Sequence, residues 1–350
     1  MPQPPSSSAA IRPTFPATLL KVNLAIEKTR VNEPDDYSPA EEAVSSATLR
    51  IPVALAGLRL DQALARIFPE HSRSRLQGWL RDGRIHVDGG VPDAKRKVAG
   101  GELLSVDAPP PPEAIAELPE DIPLRVVFED DCLLVIDKPA GLVVHPGSGN
   151  WSGTLLNALL HHAPGLAAIP RAGIVHRLDK DTTGLMVVAK TLEAQTDLVR
   201  QLQARSVSRH YHALVHGVLE RDGTVDAPIG RHPTVRTRMA VVDGGRPAVN
   251  HYRVRARLER ASLVECRLET GRTHQIRVHM AHIGHPLVGD PVYGSKRSRN
   301  PLFEAFPRQA LHAFRLGLAH PRSGEAMSWV LPMAADLAAL LRASGVDFSS

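Results

Sequence analysis

Gly173-Ile174-Val175-His176-Arg177-Leu178-Asp179-Lys180-Asp181-Thr182-Thr183-Gly184-Leu185-Met186-Val187-Val188-Ala189-Lys190 is the stretch around which the rest of the chain is read. The apolar pair Ile174-Val175 leads into a polar knot, and the apolar run from Leu185 to Ala189 follows it. Short apolar runs on either side of an Asp-, Thr- and Gly-containing segment predict strand, loop, strand. The loop then carries His176, Arg177, Asp179, Lys180 and Asp181 out of a buried sheet. Loops held by rigid strands are where binding and catalysis concentrate. From chemistry alone the same residues also read as turn formers, with Arg177 paired to one of the carboxylates.

The run His176 to Leu185 reads His-Arg-Leu-Asp-x-x-Thr-x-Gly-Leu, which resembles the signature of the RluA/RluD family of RNA pseudouridine synthases. Four further stretches carry the same resemblance. Asp137 to Pro146 has the lysine-proline, glycine turn and Val-His-Pro of the family's second motif. Arg209-His210-Tyr211, followed by Ala213-Leu214-Val215, is similar to its tyrosine motif. Gly271 to His279 and Gly284 to Gly294 are close to its longest recognisable segment. The resemblance spans about residues 58 to 335.

Upstream, Leu60, Leu64 and Ile67 fall at i, i+4 and i+7 and predict an amphipathic helix, stopped by Pro69. Ser72 is placed to cap a second helix through Leu76, Trp79 and Leu80, ended by Gly83. Ile85, Val87 and the turn Asp88-Gly89-Gly90 then predict a strand and hairpin. With the arginines along it, this segment resembles the S4 RNA-binding domain; Arg59, Arg73 and Arg75 are its candidate RNA contacts. A small basic adaptor that binds protein is the other reading of these residues.

The organisation expected is a disordered extension over 1–48, an S4-like domain over 58–106, a proline-rich acidic linker over 107–121 and a catalytic domain over 122–340. The first is Pro- and Ser-rich without periodicity. Charge follows the same divisions: the net is +4 over 58–101, −5 over 107–121 and +8 over 122–350, within a total of +5. Basic folded bodies suit a polyanion partner, because phosphate neutralisation releases counterions; the same charge also serves simple solubility. Cys132 and Cys266 are too few for a disulfide framework or a thiolate metal site. Together with the lack of a secretory pattern or a long apolar run, this sets the expectation of a cytoplasmic protein without a membrane span.

The family resemblance implies an α+β fold: a mixed, mostly antiparallel sheet flanked by helices, behind the small S4-like domain. It implies uridine isomerisation, most like the RluD type, which acts on large-subunit (23S) ribosomal RNA. In that reaction the N1–C1′ bond breaks, the uracil turns, and C5 joins C1′. No atoms are gained or oxidised, so no cofactor is expected, and no Gly-x-Gly-x-x-Gly or Gly-Lys-Ser/Thr loop is present. Asp179 is the matched catalytic carboxylate, acting as nucleophile or as base. Arg277 is its matched partner and Tyr211 the aromatic that lies against the uracil. Arg177 matches the residue that fills the space of the extruded base. Lys138, His176, Lys180 and Arg272 are expected to hold phosphates or line the pocket.

The partner implied is ribosomal RNA, free or in pre-ribosomal particles, with the protein a monomer. Three rivals remain: an RluC-like synthase acting on other 23S uridines, a non-catalytic RNA-binding assembly factor, and a metal-dependent hydrolase using His274, His279 and His282. The spacings of five and three do not put those histidines together on one helix face, so no metal is expected.

Overall fold

The computed structural model describes residues 45–108, 116–147, 149–294 and 300–346. The chain divides into two compact units, Met1–Pro110 and Pro111–Ser350.

In the first unit, β1 (Ser45–Arg50), α1 (Leu60–Ile67), α2 (Arg73–Arg81), β2 (Ile85–Val87) and β3 (Leu103–Ala108) follow one another. β3 lies between β1 and β2, antiparallel to both. Leu60, Ala63 and Leu64 form one face of α1 and bury against Leu76, Trp79 and Leu80 of α2. Ile85, Val87, Leu104 and Val106 close this core from the sheet. Each fully buried Leu or Ile contributes about 1.5–3 kcal/mol. Ser72 Oγ accepts the Arg75 amide, as a helix N-cap should.

Several boundaries differ from the sequence reading. β1 starts at Ser45, inside the stretch expected to be disordered, because Ser45–Arg50 completes a ladder with Ala108–Leu103. Residues 1–44 lie outside the described residues. The turn after Val87 is present, with Val87 and Gly90 exchanging backbone hydrogen bonds. The strand partner of β2 is nevertheless β3, so the hairpin has a long excursion in place of a two-residue turn. β3 takes in Asp107 and Ala108 from the expected linker. At the linker's far end, Asn157 Nδ2 donates to the carbonyls of Ala116 and Leu118, at 3.1 and 2.8 Å, and ties that end to the second unit. The proline run 109–112 lies outside the described residues.

The second unit runs β4 (Val126–Glu129), β5 (Leu133–Lys138), α3 (Leu155–His162), β6 (Thr183–Ala189), α4 (Leu192–Gln203) and β7 (Ser208–His216). It continues with β8 (Gly223–Asp226), β9 (Ile229–Arg231), β10 (Met239–Val241), β11 (Val249–Arg257), β12 (Ala261–Leu268) and α5 (Gln275–His282). Then come α6 (Pro301–Glu304), β13 (Leu311–Ala319), β14 (Ala326–Val330) and α7 (Ala335–Ala343). Nine strands form one sheet in the order β4-β5-β6-β13-β7-β12-β11-β8, with β14 also beside β13. The β6–β13 pair is parallel and the other ladders of this sheet are antiparallel. β9 and β10 form a separate two-stranded sheet. This is the mixed, mostly antiparallel α+β architecture expected.

Both faces of the sheet are covered. Leu134, Ile136, Met186 and Val188 pack with α3 and α5, whereas Leu133, Val135, Leu185 and Val187 face α4. Double coverage explains why β5 and β6 read as continuous apolar runs. The β6–β13 pairing needs Gly184: it has φ +114, and a Cβ there would strike the Ala313 carbonyl.

Ile174-Val175 does not form the strand expected before the polar loop. The chain arrives from a tight turn over Pro170–Gly173, and Ile174 makes a single antiparallel bridge to Val188. Two apolar residues are too few to build a ladder before the polar residues begin. The edge of β6 is completed by a side chain: the Val187 amide donates to His176 Nε2 at 3.1 Å.

Candidate active site

The loop from His176 to Thr182 is held from beneath by buried polar side chains. Lys138 Nζ donates to Lys180 O at 2.8 Å and also to the carbonyls of Pro139 and Leu142. Arg308 Nη1 donates to Asp181 O at 3.1 Å, while its Nε and Nη2 grip the Asp336 carboxylate of α7. Gln309 Nε2 reaches Thr182 Oγ1 at 3.1 Å. The loop closes on itself where the Thr182 amide donates to Asp179 O. These bonds satisfy carbonyls that a polar loop over a dry sheet would otherwise leave unpaired.

Asp179, so placed, faces the start of α5. Arg277 Nη1 donates to Asp179 Oδ2 at 3.0 Å, and Arg277 is only 4% exposed. The other edge of the guanidinium is bound to Asp290, Nε at 2.7 Å and Nη2 at 2.9 Å. Burial works against both charges of that pair. Their mutual hydrogen bonds outweigh it, holding the Asp290 carboxyl below its ordinary range and the Arg277 pKa above its own.

α5 begins from a left-handed residue. Its N-cap is His274, with φ +56, and no side chain caps it directly. The Gln275 carboxamide fixes the turn that leads into it: its oxygen accepts the Thr270 hydroxyl and the Arg272 amide, and its nitrogen donates to Val249 O. The left-handed turn brings His274 Nδ1 within 2.8 Å of Tyr293 Oη, which accepts the Met239 amide from the β9–β10 hairpin. His274 Nε2 stands 3.9 Å from Asp179 Oδ1. Burial lowers the His274 pKa, against the pull of the Asp179 charge.

A cavity of about 590 Å³ opens over these groups. Among the expected site residues, His176, Arg177, Asp179, Tyr211, Arg272 and Arg277 line it. Tyr211 enters from β7, is 5% exposed, and has its phenol pKa pushed up by burial. Lys180 is exposed and outside the lining.

One expected RNA contact is corrected. Lys138 is fully buried, and its ammonium is used up on three backbone carbonyls, so it supports the loop from inside. Burial pushes it down to about 8. His176 lines the cavity, yet its Nε2 is committed to the strand edge, and burial pushes its imidazole down to about 3. In the first unit, Arg59 and Arg73 both hold the buried Asp61, at 3.1 and 2.6 Å, with about half of each side chain still open to solvent. Arg75 is half-buried on α2.

Two of the three histidines of the metal reading have other partners. His274 binds Tyr293, and His279 Nε2 lies 3.0 Å from Ala227 O. Among the described residues, the group whose ligand atoms come within 4.8 Å of one another is Asp130, Cys132 and His320. There Asp130 closes a turn by accepting the Cys132 and Leu133 amides and pairs with His320.

Comparison with known proteins agrees with this geometry. The RNA pseudouridylate synthase family matches residues 132–282, and the S4 domain family matches residues 58–104. The chain is 59% identical over 307 residues to the ribosomal large subunit pseudouridine synthase D of Nitrosomonas europaea, covering 87% of this chain and 89% of that protein. The chain belongs to the RNA pseudouridylate synthase family. The synthase D proteins of Pseudomonas aeruginosa, 58% identical over 83% of this chain and 93% of theirs, and of Escherichia coli K12, 55% identical over 83% and 92%, are similar throughout. A solved structure, human RNA pseudouridylate synthase domain containing 4, superposes with a TM-score of 0.50 at 25% identity, over 62% of this chain and 93% of its own.

This pseudouridine synthase also uses residues to which the sequence assigns no role. Asp290 sits in the Gly284–Gly294 stretch, where the motif itself does not say what the carboxylate does. Arg308 and Gln309 lie between recognisable segments. Only a charge-balance question points to them from sequence: two cations buried near one loop need carboxylates or carbonyls.

Proposed function

We propose that the chain isomerises uridine to pseudouridine in large-subunit ribosomal RNA, the substrate that the names of its synthase D relatives state for those proteins. Asp179 supplies the carboxylate beside C1′, Arg277 orients it, and Tyr211 lies flat against the uracil. Arg177 fills the space the base leaves on extrusion, where a planar guanidinium stacks well. The S4-like unit grips structured RNA by shape and phosphate contact, and the second unit performs the chemistry. The protein acts as a cytoplasmic monomer, on rRNA free or within pre-ribosomal particles.

The observation that carries this reading is the setting of Asp179. It is paired at 3.0 Å with a buried arginine, at the wall of a cavity also lined by Arg171, Arg177, Arg205 and Arg272. A carboxylate held by a buried arginine within a basic rim suits a reaction on a polyanion's sugar carbon. The test is to map pseudouridines in 23S rRNA from a strain lacking the gene, then to treat that rRNA with purified protein. Sites missing in the strain should return in vitro. Identical maps with and without the gene would end the proposal.

A further inference from the structure

Among the described residues, Arg209 is a buried cation with no salt-bridge partner. It is 6% exposed on β7, and its Nε has no hydrogen-bond partner among those residues. Its one hydrogen bond among the described residues is from Nη2 to the Glu269 carbonyl, at 3.3 Å. The Glu269 carboxylate is turned elsewhere, to Arg205 and His251, each at 2.7 Å. Two titratable groups that feel the Arg209 charge, Tyr211 and His176, are neutral. Burial holds Tyr211 as the phenol and His176 as the uncharged imidazole, the latter helped by Arg209 itself. Burial also lowers the pKa of Arg209.

An unpaired buried charge is among the costliest features a fold can carry. This one has been given a slot. A Cβ on Gly271 would stand 2.7 Å from Arg209 Nη1, so the absence of a side chain there leaves room for the guanidinium. Gly271 has no positive φ, and what a Cβ there would meet is the end of the Arg209 side chain. Arg209 lies two residues from Tyr211 on the same face of β7 and lines the same cavity as Asp179.

We infer that Arg209 is a substrate-contacting residue whose guanidinium takes up the negative charge that develops on the uracil as the N1–C1′ bond breaks. The inference rests on the uridine reading of the pocket. On heterolysis the electron pair stays with the uracil, spread over N1 and the carbonyl oxygens O2 and O4. The charge disappears when C5 bonds to C1′ and the C5 proton is exchanged for one on N1. A preorganised donor aimed at that anion lowers the barrier without tightening ground-state binding.

The test uses the full-length protein and a uridine-containing rRNA stem-loop. Single-turnover rates at saturating enzyme and RNA affinity across a salt series are measured for Arg209→Gln, Arg209→Lys and Gly271→Ala. Arg209→Gln should lose about 100-fold or more in rate, with affinity within about three-fold and an unchanged salt slope. Arg209→Lys should recover part of the rate. Gly271→Ala should fall in the same direction by displacing the guanidinium, and it carries the test should Arg209→Gln fail to fold. Adding guanidinium ion to Arg209→Ala should restore activity, which a merely structural role would not allow.

Undiminished saturating rates in folded variants would overturn the inference. So would weaker binding with a salt slope reduced by about 0.7–0.9 and a normal saturating rate, since that marks a backbone phosphate contact. A wild-type protein inactive on every uridine substrate would instead sink the functional reading itself.

Discussion

Asp290 grips Arg277 through two parallel hydrogen bonds, Nε to Oδ2 at 2.7 Å and Nη2 to Oδ1 at 2.9 Å, and so leaves Nη1 as the corner that reaches Asp179. Asp290 is itself fixed by the amides of Val292 and Tyr293. The tilt of the guanidinium is thus set from behind, by a residue that does not line the cavity.

Asp290→Asn should therefore weaken the site without altering its lining. It removes the charge that balances a buried guanidinium, a change that destabilises by about 3 kcal/mol. Arg277→Met should be as damaging to the rate and similar in stability. Because the two act as a pair, the double variant should be much less destabilised than the sum. Urea unfolding of the four proteins measures this; destabilisations that simply add would show that the pair is not a unit.

Asp179→Asn should abolish pseudouridine formation while RNA affinity stays within a few-fold. The substitution keeps size and one acceptor oxygen and removes only the charge. Binding and product assays on the same stem-loop separate the two effects. Turnover near the wild-type rate would exclude Asp179 as the reacting carboxylate.

The first unit should lose stability in acid through Asp61. Burial pushes this carboxyl up, but hydrogen bonds from Arg73, Arg59 and Gln77 outweigh it and bring the pKa from 3.8 to about 2. A depressed carboxylate contributes stability above its unfolded pKa, and this is lost as pH falls through the folded value. The window is therefore from about pH 4 down to about pH 2. Since Arg59 and Arg73 are about half exposed, solvent screening reduces the contribution to about 1–2 kcal/mol. Hydrogen exchange of the β3 amides should show the loss in the wild type and a flat profile in Asp61→Asn.

Removing residues 1–107 should leave activity on a short stem-loop largely intact and weaken selection of the natural site in full-length rRNA. The residues lining the cavity all belong to the second unit, whereas the net +4 segment 58–101 belongs to the first. Every phosphate that the first unit no longer neutralises should flatten the salt dependence of binding by about 0.7–0.9. If the folded second unit is inert on every substrate, the division of labour is wrong.

Local signals in the chain specify most of its elements and the chemistry at stake. The periodicities around Leu60 and Leu76, the apolar runs of β5 and β6, and the cap at Ser72 are each decided within one or two turns of chain. The motif residues Asp179, Tyr211 and Arg277 are legible for the same reason: their identity is written where they stand. Which residues meet is a matter of packing. Asp179 and Arg277 are 98 residues apart, and Lys138 and Lys180 are 42 apart, so no local pattern encodes either contact. Lys138 and His176 read as solvent-facing polar residues, yet burial makes one a clamp on loop carbonyls and the other a substitute for a strand partner. Burial is a property of the whole packed sheet. Packing likewise separates a buried cation spent on the protein's own carbonyls, as in Lys138, from one whose Nε has no partner among the described residues, as in Arg209.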